Sequence, residues 1–459
     1  SQTRAAMSRR RVLPRSVLAT VAAVAAAAPA EPHREGEGAT ATSTRPPPSK
    51  DPTALSDLRA PVAPGPGPNG LAKVPPMGWM SWEIFRCETD CAKHPTACID
   101  EGLYRQMADR IASDGYLEAG YNQVSIDDCW ESLDGRDAAG RLLPNQSRFP
   151  SGMKALGDYM HSKGVRFGTQ SDEGTKTCGG HPGTERHERI DADTVASWGM
   201  DYLMLDGCHN DPSGYATGYP AVGSALQESG RNITFSCSWP AYLGDDESTK
   251  PFAGMIATGC NLWRNWVDIQ CNWGSLSSII DHWGDHGSVL QARAGPGHWH
   301  NMYTLLVGGT CITADEERTQ MAMRSIGASP LIMGNDLRMV PSESKRILLN
   351  RDAIAVSQDP LGKMGIRHGA SSSSSPTQVW YRALSQGDVA VALCNKDGGD
   401  KADIALSFSA VGLLAKASVY DIWAQSDVGV FESSFTAKDV PKHGSAFLRL
   451  SPLPVSAVV

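Results

Sequence analysis

The chain has 459 residues, of which 41% are hydrophobic and 20% are charged, and this composition is typical of a globular protein. Its formal net charge is −8, which argues against a nucleic-acid-binding protein. The length leaves room for two or three domains, although one α/β barrel can use about 250 residues. We therefore expect a neutral or small polar partner.

The amino-terminal segment has the pattern of a signal peptide. The stretch "MSRRRVLPRSVLATVAAVAAAAPAEP", which starts at Met7, is basic, then apolar from Val17 to Ala28, then rich in small residues. The apolar run is too short to span a bilayer. A transit peptide is the alternative, since the segment has several arginines and few acidic residues. We predict a signal-peptide-like segment at 1–30 and a secreted or endomembrane, lysosome-like location.

Residues 31–70 are rich in Pro, Gly, Ser and Thr and have almost no apolar residues to bury, so we predict a disordered linker. Eight short apolar runs follow. They are "PPMGWMSW", "NQVSIDDCW", "VRFGTQSD", "DYLMLDG", "ITFSCSW", "NLWRNWVDI", "QARAGPGHW" and "SPLIMGND". The segments between them carry apolar residues at helical spacing, and most of these segments end in Gly. This alternation predicts an α/β fold, a (β/α)₈ TIM barrel over 71–361.

The remaining residues, 362–459, follow a different pattern. Runs such as "TQVWYRAL", "DVAVALCNK", "KADIALSF", "ASVYDIWA" and "SAFLRLSP" are separated by turn residues, and no long helix interrupts them. This part predicts an antiparallel β-sandwich.

Polar residues at the predicted strand ends are the first candidates for function, because active sites of such barrels lie at the carboxyl ends of the strands. These residues are Trp82, Asp127, Asp128, Asp172, Asp206, Trp239, Arg264, Asp268 and His298. Glycoside hydrolysis uses two carboxylates, and tryptophan rings stack on sugar faces. A single Asp before Gly at a strand end is more often a turn or a helix cap. Several carboxylates in one ring favour catalysis.

Cysteines and histidines raise the question of metal binding. Of eleven cysteines, Cys87, Cys91 and Cys98 cluster, which indicates either disulfides or a metal site, but the C-x-x-C pairs preferred by zinc are absent. His298 and His300 share a face if "GHWHN" is extended, yet a third ligand is not evident. We predict no metal and no cofactor.

Two sequons, at Asn145 in "NQS" and Asn232 in "NIT", are predicted N-glycosylation sites. Asn232 directly precedes an apolar run, so we expect it to be poorly accessible.

The motifs carry a family resemblance over residues from about Leu71 to the carboxyl terminus. They are "PPMGWMSWEIFRC", "IDDCW", "RFPSGMKALGDYMHSKG", "LDGC", "FSCSWPAY", "CNLWRN", "AGPGHW" and "SQDPLG". The chain resembles glycoside hydrolase family 27, the retaining α-galactosidases and α-N-acetylgalactosaminidases. The resemblance implies a barrel followed by an antiparallel sandwich, in agreement with the pattern above.

The resemblance also implies roles for site residues. Asp206 matches the nucleophile, and Asp268 matches the general acid/base. The residues implied to contact the sugar are the hydroxyl-binding pair Asp127 and Asp128, the stacking residue Trp82, and Arg264 near the C2 substituent. Retention of configuration requires the two catalytic carboxyl groups to lie about 5 to 5.5 Å apart.

The implied disulfides are Cys87–Cys129, Cys91–Cys98, Cys178–Cys208 and Cys237–Cys260. We expect the bridge between Cys178 and Cys208 to shape the sugar pocket as well as to stabilise the fold. Three further cysteines, Cys271, Cys311 and Cys394, are left without an assigned partner.

The stretch "SCSWPAY" bears on the choice of sugar. Ser238 and Ala241 are small, which leaves volume for an acetamido group at C2 and favours the α-N-acetylgalactosaminidase branch; Tyr242 ends the motif and is counted among the sugar contacts. The alternative is that the two small residues only pack.

Three residues depart from the family pattern. The family has Lys at the position of Met204, Tyr at that of Gln170, and "WNDPDM" where this chain has "WHNMYT", so Tyr303 replaces an aspartate. Losing a charged hydrogen bond costs about 1.5 to 3 kcal/mol, on the order of ten- to a hundredfold in binding or rate.

Two hypotheses follow. In the first, a retaining α-glycosidase removes terminal α-linked galactose or N-acetylgalactosamine from glycoconjugates, with Gln170, Met204 and Tyr303 lining an altered pocket. In the second, the pocket has lost catalysis and the protein binds carbohydrate or acts as a scaffold. The presence of Asp206 and Asp268 favours the enzyme. We expect no membrane span, and a second copy of the chain is a candidate partner.

Overall fold

The computed structural model describes residues 69–369, 372–397 and 399–454, all within one compact unit. The predicted signal-like segment 1–30 and nearly all of the predicted linker 31–70 lie outside these ranges. Asn69, from the end of that predicted linker, donates a hydrogen bond through Nδ2 to Asn261 Oδ1 (3.0 Å).

Ten strands lie between residue 69, where the described part begins, and the sandwich. They are β1 (Met77–Met80), β2 (Gln123–Ser125), β3 (Glu131–Arg136), β4 (Leu142–Pro144), β5 (Arg166–Asp172), β6 (Tyr202–Asp206), β7 (Thr234–Cys237), β8 (Cys260–Arg264), β9 (Trp299–Asn301) and β10 (Leu331–Met333). Strands β3 and β4 form a hairpin, and the other eight form one parallel sheet in the order β10-β1-β2-β5-β6-β7-β8-β9. After β9, Leu305 forms a parallel bridge to Met333. The sheet therefore curls so that its two edges approach each other, which confirms the predicted barrel architecture.

Within the described ranges, twelve α-helices follow or connect these strands. They are α1 (Trp82–Phe85), α2 (Glu101–Ser113), α3 (Tyr116–Ala119), α4 (Gly152–Ser162), α5 (Glu188–Ser197), α6 (Tyr215–Glu228), α7 (Phe252–Thr258), α8 (Trp273–Asp285), α9 (Gly287–Gln291), α10 (Ala314–Ile326), α11 (Ser342–Leu348) and α12 (Arg351–Ser357). Local sequence explains several starts. Asp100 caps α2 by accepting a hydrogen bond from Leu103 N, and Thr313 and Glu316 form a capping box at α10.

Alternate residues of the parallel strands point into the barrel, as the two-residue repeat of a strand requires. Six of them form an apolar cluster inside the sheet together with Ala328, which precedes β10: Met80, Tyr202, Met204, Leu262, Trp299 and Ile332. This cluster fills the barrel interior, so Met204 is part of its packed core.

One predicted strand is displaced. The run "QARAGPGHW" covers the end of α9 and a turn, and β9 begins only at its last residue, Trp299. In that turn Gly295 and His298 exchange two backbone hydrogen bonds (both 2.9 Å). The prediction was wrong here because Gly, Pro and Gly at 295–297 favour a turn over an extended strand.

The carboxyl-terminal part contains eight strands: β11 (Ile366–Arg367), β12 (Thr377–Ala383), β13 (Val389–Asn395), β14 (Lys401–Ser407), β15 (Lys416–Asp421), β16 (Ser426–Glu432), β17 (Ser434–Pro441) and β18 (Ser445–Pro452). They form a six-stranded sheet, β11-β12-β13-β18-β15-β16, and a two-stranded sheet, β14-β17. A separate apolar cluster that includes Leu393, Leu406, Phe408 and Leu450 forms their core. The predicted antiparallel sandwich is confirmed, but β11, β16 and β17 were not predicted from the sequence.

Across the described ranges, no helix is both long and apolar enough to cross a membrane.

Candidate active site

The carboxyl ends of the parallel strands gather the predicted site residues. Asp172 ends β5 and Asp206 ends β6, and the two are partners in the parallel register. Arg264 ends β8, and Asp127 follows β2. Because parallel strands end on one edge of their sheet, these side chains face a common mouth.

Arg264 links the two proposed catalytic carboxylates. Its Nη2 donates to Asp206 Oδ1 (3.3 Å), and its Nη1 lies 3.1 Å from Asp268 Oδ1. Burial alone would lower the pKa of Arg264, but the charges of Asp268 and Asp206 outweigh it and raise that pKa. The guanidinium is therefore held charged between the two carboxyl groups.

Asp268 has an environment that suits a proton donor. Its side chain is 35% exposed, so a leaving group can approach it. Burial raises the pKa of Asp268, Arg264 opposes the rise, and Asp206 adds to it. A carboxyl group with a raised pKa keeps its proton closer to neutral pH, as general acid catalysis requires.

Gln170 joins Asp206 to a third carboxyl group. Its Nε2 donates to Asp206 Oδ2 (3.2 Å) and to Asp172 Oδ2 (2.8 Å). Asp172 also accepts hydrogen bonds from the backbone N–H groups of Cys208 (2.8 Å) and Cys178 (3.2 Å). Burial, and then the charge of Asp206, raises the pKa of Asp172 well above its usual range. The sequence analysis singled out Asp172 by its place at a strand end but gave it no role.

Asp127 and Asp128 are fixed by backbone donors. Asp127 Oδ1 accepts from the N–H of Asp128 (2.8 Å), and Asp128 accepts from the N–H groups of Cys129 (2.6 Å) and Gly179 (2.5 Å). Burial, and then Asp206, raises the pKa of Asp127 well above its usual range.

Several buried polar atoms around the mouth have no hydrogen-bond partner within the described part of the chain. They are Trp82 Nε1, Asp127 Oδ2, Gln170 Oε1 and Ser238 Oγ. Buried polar groups are nearly always hydrogen-bonded in native proteins. A ligand with several hydroxyl groups would supply the missing partners.

The structure gives Met204 and Tyr303 different surroundings. Met204 is 5% exposed and packs in the apolar cluster inside the barrel. Tyr303 has a positive φ of 74°, rare for an aromatic residue, and its ring centroid lies 5.8 Å from Arg264 Cζ. Burial, followed by the charges of Asp268 and Asp127, raises the pKa of Tyr303 well above its usual range. The phenol therefore lies among the carboxyl groups of the mouth.

The turn after β7 carries the residues expected to govern the choice of sugar. Ser238 is buried, and Ala241 and Tyr242 are partly buried. Arg264 Cζ lies 5.6 Å from the Tyr242 ring centroid, and the Tyr242 hydroxyl lies 3.6 Å from Cys208 Sγ. The turn is thus in contact with the mouth.

The structure contains the four predicted disulfides and a fifth. The fifth joins Cys271 to Cys311, which the sequence analysis left unpaired. These two cysteines are 40 residues apart and meet only because the segments after β8 and β9 are neighbours in the fold. Cys394 is a buried free thiol. The Cys178–Cys208 bridge lies beside Asp172, to which both cysteines donate backbone hydrogen bonds.

The two histidines of "GHWHN" have separate hydrogen-bond partners. His298 Nδ1 lies 2.8 Å from Arg293 O, whereas His300 Nε2 lies 2.8 Å from Leu290 O. Burial lowers the pKa of His300 to about 4. Their ring nitrogens thus serve the packing of the β9 region.

One of the two sequons is more exposed to solvent than expected. Asn232 is exposed, so the expected poor access was wrong; it lies outside β7, which begins at Thr234. Asn145 is partly buried, and its Oδ1 accepts hydrogen bonds from Ser147 Oγ and Arg148 N.

Comparison with known proteins agrees with this geometry. A family model described as "Alpha galactosidase A" matches residues 74–359, and one described as "Alpha galactosidase C-terminal beta sandwich domain" matches residues 374–450. The chain belongs to the α-galactosidase family of glycoside hydrolases. This confirms the resemblance to glycoside hydrolase family 27.

Individual relatives of this glycoside hydrolase come from both branches. An α-N-acetylgalactosaminidase of Gallus gallus is 47% identical over 320 residues, 69% of this chain and 78% of the relative. Human α-galactosidase A is 42% identical over 331 residues, 72% of this chain and 75% of the relative. The crystal structure of α-galactosidase I from Mortierella vinacea superposes with a TM-score of 0.73 at 29% identity, covering 84% of this chain and 98% of that one. The comparisons give no support to a non-catalytic binding protein.

Proposed function

We propose that this glycoside hydrolase removes terminal α-linked galactose or N-acetylgalactosamine from glycoconjugates with retention of configuration. The observation that carries the proposal is the bridge from Asp206 through Arg264 to Asp268, at the mouth of a barrel. One guanidinium in contact with both carboxylates keeps them close together, so that they can flank the glycosidic bond of a bound sugar.

The reaction proceeds in two displacements. Asp206 attacks the anomeric carbon while Asp268 donates its proton to the departing oxygen, and a covalent glycosyl-enzyme forms. Asp268, now ionised, then takes a proton from water, which attacks the anomeric carbon and frees Asp206. Each displacement inverts the anomeric centre, so the sugar leaves with its original configuration.

The sugar is held by the polar atoms that lack protein partners. Asp127 Oδ2 and Gln170 Oε1 accept hydrogen bonds from hydroxyl groups, and Trp82 offers a ring face and Nε1. The Trp82 ring is itself backed by Arg86, whose Cζ lies 5.3 Å from its centroid. Arg86 therefore helps to hold the Trp82 ring in place.

Substrate choice depends on the volume near Ser238 and Ala241. Two small side chains leave room for an acetamido group, and the unpartnered Ser238 Oγ can bond to it. We therefore propose a preference for N-acetylgalactosamine over galactose. The disulfides support an oxidising compartment, and we place the enzyme outside the cell or in a lysosome-like compartment.

The test is hydrolysis of 4-nitrophenyl α-galactoside and 4-nitrophenyl α-N-acetylgalactosaminide, with product configuration read by NMR. Asp206→Asn should abolish turnover of both. Asp336→Asn is the matched control, because Asp336 pairs with Arg338 (2.7 Å) and has no hydrogen bond or ion pair with Asp206 or Asp268 among the described residues; it should remain active. Full activity of Asp206→Asn, or an inverted product, would refute the mechanism.

The choice of sugar is tested separately. Ala241→Leu should reduce turnover of the N-acetylgalactosaminide much more than that of the galactoside. An equal reduction of both would show that Ala241 only packs.

A further inference from the structure

A buried charged cluster lies beneath the segment that carries Arg264 and Asp268. Glu247 and Lys250 have side chains that are 0% exposed, with Lys250 Nζ 2.8 Å from Glu247 Oε1. His282 Nε2 lies 2.8 Å from the same oxygen, and Asn265 Nδ2 donates to Glu247 Oε2 (3.0 Å). Burial alone would raise the pKa of Glu247, but these donors outweigh it and hold the pKa below its usual range. The carboxylate is therefore ionised and fully hydrogen-bonded.

Such a cluster is a poor source of stability. Moving the two charges out of water costs several kcal/mol per ion. Replacing a buried ion pair by well-packed apolar residues is often neutral, or stabilises the fold by ~1 to 4 kcal/mol. Fold stability therefore does not account for the cluster, and its role follows from its contacts with neighbouring residues.

Those contacts converge on the backbone of residues 264–266. Lys250 Nζ donates to Asn265 O (2.7 Å). The His282 ring stacks on Trp266, with centroids 4.3 Å apart and planes only 4° apart. Trp266 O in turn accepts a hydrogen bond from Arg264 Nη1 (3.0 Å), the same nitrogen that lies 3.1 Å from Asp268 Oδ1. The cluster thus fixes both the Trp266 carbonyl and the guanidinium that holds Asp268.

We propose that Glu247, Lys250 and His282 are positioning residues for Asp268: by fixing Asn265 and Trp266 they aim Arg264, and Arg264 aims the acid/base carboxyl at the glycosidic oxygen. This inference rests on the proposed function, in which Asp268 protonates the leaving group. None of the three touches the substrate. Their effect reaches catalysis only through the orientation of Asp268.

A positioning role has a signature that loss of fold stability does not have. Proton donation matters for an alkoxide leaving group and not for fluoride, which departs without a proton. A misplaced Asp268 therefore slows cleavage of a methyl α-glycoside far more than cleavage of the α-glycosyl fluoride. General damage to the site slows both to the same extent.

The experiment compares kcat/KM for methyl α-galactoside and α-galactosyl fluoride, or for the matching N-acetylgalactosaminides if these are the better substrates. Lys250→Met should lower kcat/KM for the methyl glycoside at least about tenfold more than for the fluoride. Lys250→Arg, which keeps the charge, should restore part of the loss. If Lys250→Met does not fold, His282→Phe serves instead, since it keeps an aromatic ring under Trp266 and loses only the bond to Glu247.

Lys396→Met is the matched control. Lys396 Nζ also bridges a carboxylate, Asp281 Oδ2 (2.5 Å), and a backbone carbonyl, Ser373 O (2.6 Å), but in the sandwich contact region. It should leave the ratio of the two kcat/KM values unchanged.

Asp268→Ala distinguishes a failure of the positioning role from a failure of the proposed function. If Asp268→Ala loses the methyl glycoside selectively and Lys250→Met and His282→Phe lose both substrates equally, the positioning role is overturned and the proposed function stands. If Asp268→Ala itself shows no selectivity, Asp268 is not the general acid, and both proposals are overturned.

Discussion

Glu83 is a buried carboxyl group whose ionisation should destabilise the fold. Its side chain is 4% exposed, and its ion pair with Arg86 Nη2 spans 3.1 Å. Neither Oε atom has a hydrogen-bond partner among the described residues. Burial raises the pKa of Glu83 to about 7, with Arg86 opposing and Asp268 adding to the rise. Glu83→Gln keeps the shape of the side chain and removes the titration.

The magnitude follows from linkage. The pKa rises from an ordinary 4.5 to about 7, and each pKa unit corresponds to about 1.4 kcal/mol, so the upper limit is about 3.5 kcal/mol. Relaxation of the surroundings around a buried charge reduces this limit, and we expect about 2 kcal/mol. Because the folded state binds this proton more tightly, the stabilisation is complete below the unfolded pKa of 4.5 and is lost as pH rises through about 7.

The assay is urea denaturation of the wild type and Glu83→Gln across this pH range. The difference in their free energies of unfolding should move by about 2 kcal/mol in favour of Glu83→Gln from about pH 4 to about pH 8. Glu118→Gln is the control, because Glu118 is 76% exposed; its difference from the wild type should stay flat. A constant difference between Glu83→Gln and the wild type would show that ionisation of Glu83 does not destabilise the fold.

Three other changes test the mouth and its loops. Gln170→Met removes the amide that donates to Asp206 and should lower kcat/KM about tenfold or more, as measured with the chromogenic substrates. Met204→Lys puts an ammonium on the same face of β6 as Asp206 and should raise kcat by about ten- to a hundredfold. Removing the Cys271–Cys311 bridge by Cys271→Ser and Cys311→Ser opens a loop of 40 residues and should lower the free energy of unfolding, measured in urea, by about 4 kcal/mol.

Each of these changes has an outcome that would contradict it. Gln378→Met is the control for Gln170→Met, because it removes a buried amide that donates to Asp281 (2.9 Å) away from the mouth, and its kcat/KM should not change. Equal kcat/KM values for Gln170→Met and Gln378→Met would contradict the first prediction. Unchanged kcat in Met204→Lys would show that the pocket is adapted to a thioether. Peptide mapping that finds free thiols at Cys271 and Cys311 would rule out their bridge.

The barrel was predictable because its signal is local. Each parallel strand is a short apolar run, and each following helix has apolar residues at helical spacing. Seven of the eight strands could therefore be placed near their observed positions, and only β9 was displaced. The sandwich strands with one buried face were equally visible. In contrast, β16 (Ser426–Glu432) is almost entirely exposed, and an exposed strand has no alternation of apolar and polar residues from which to predict it.

The site was predictable in part for the same reason. Strand ends and family motifs locate Asp206 and Asp268, but they do not show which groups hold these carboxylates. The bond from Gln170 to Asp206 joins two neighbouring strands and depends on their register. The contact of Lys250 with Asn265 depends on how the chain between β7 and β8 folds back beneath the segment after β8. Neither arrangement has a sequence spacing that could reveal it.

Charge balance gives a physical reason why the mouth can do without the lysine that the family pattern has at position 204, where Met204 packs in the apolar cluster inside the barrel. Burial raises the pKa of both Asp127 and Asp172 well above the usual range, so these two carboxyl groups carry less negative charge than their number suggests. Gln170 adds neutral donors to Asp172 and to the proposed nucleophile. The charge that remains on the catalytic pair is matched by Arg264, which contacts both members.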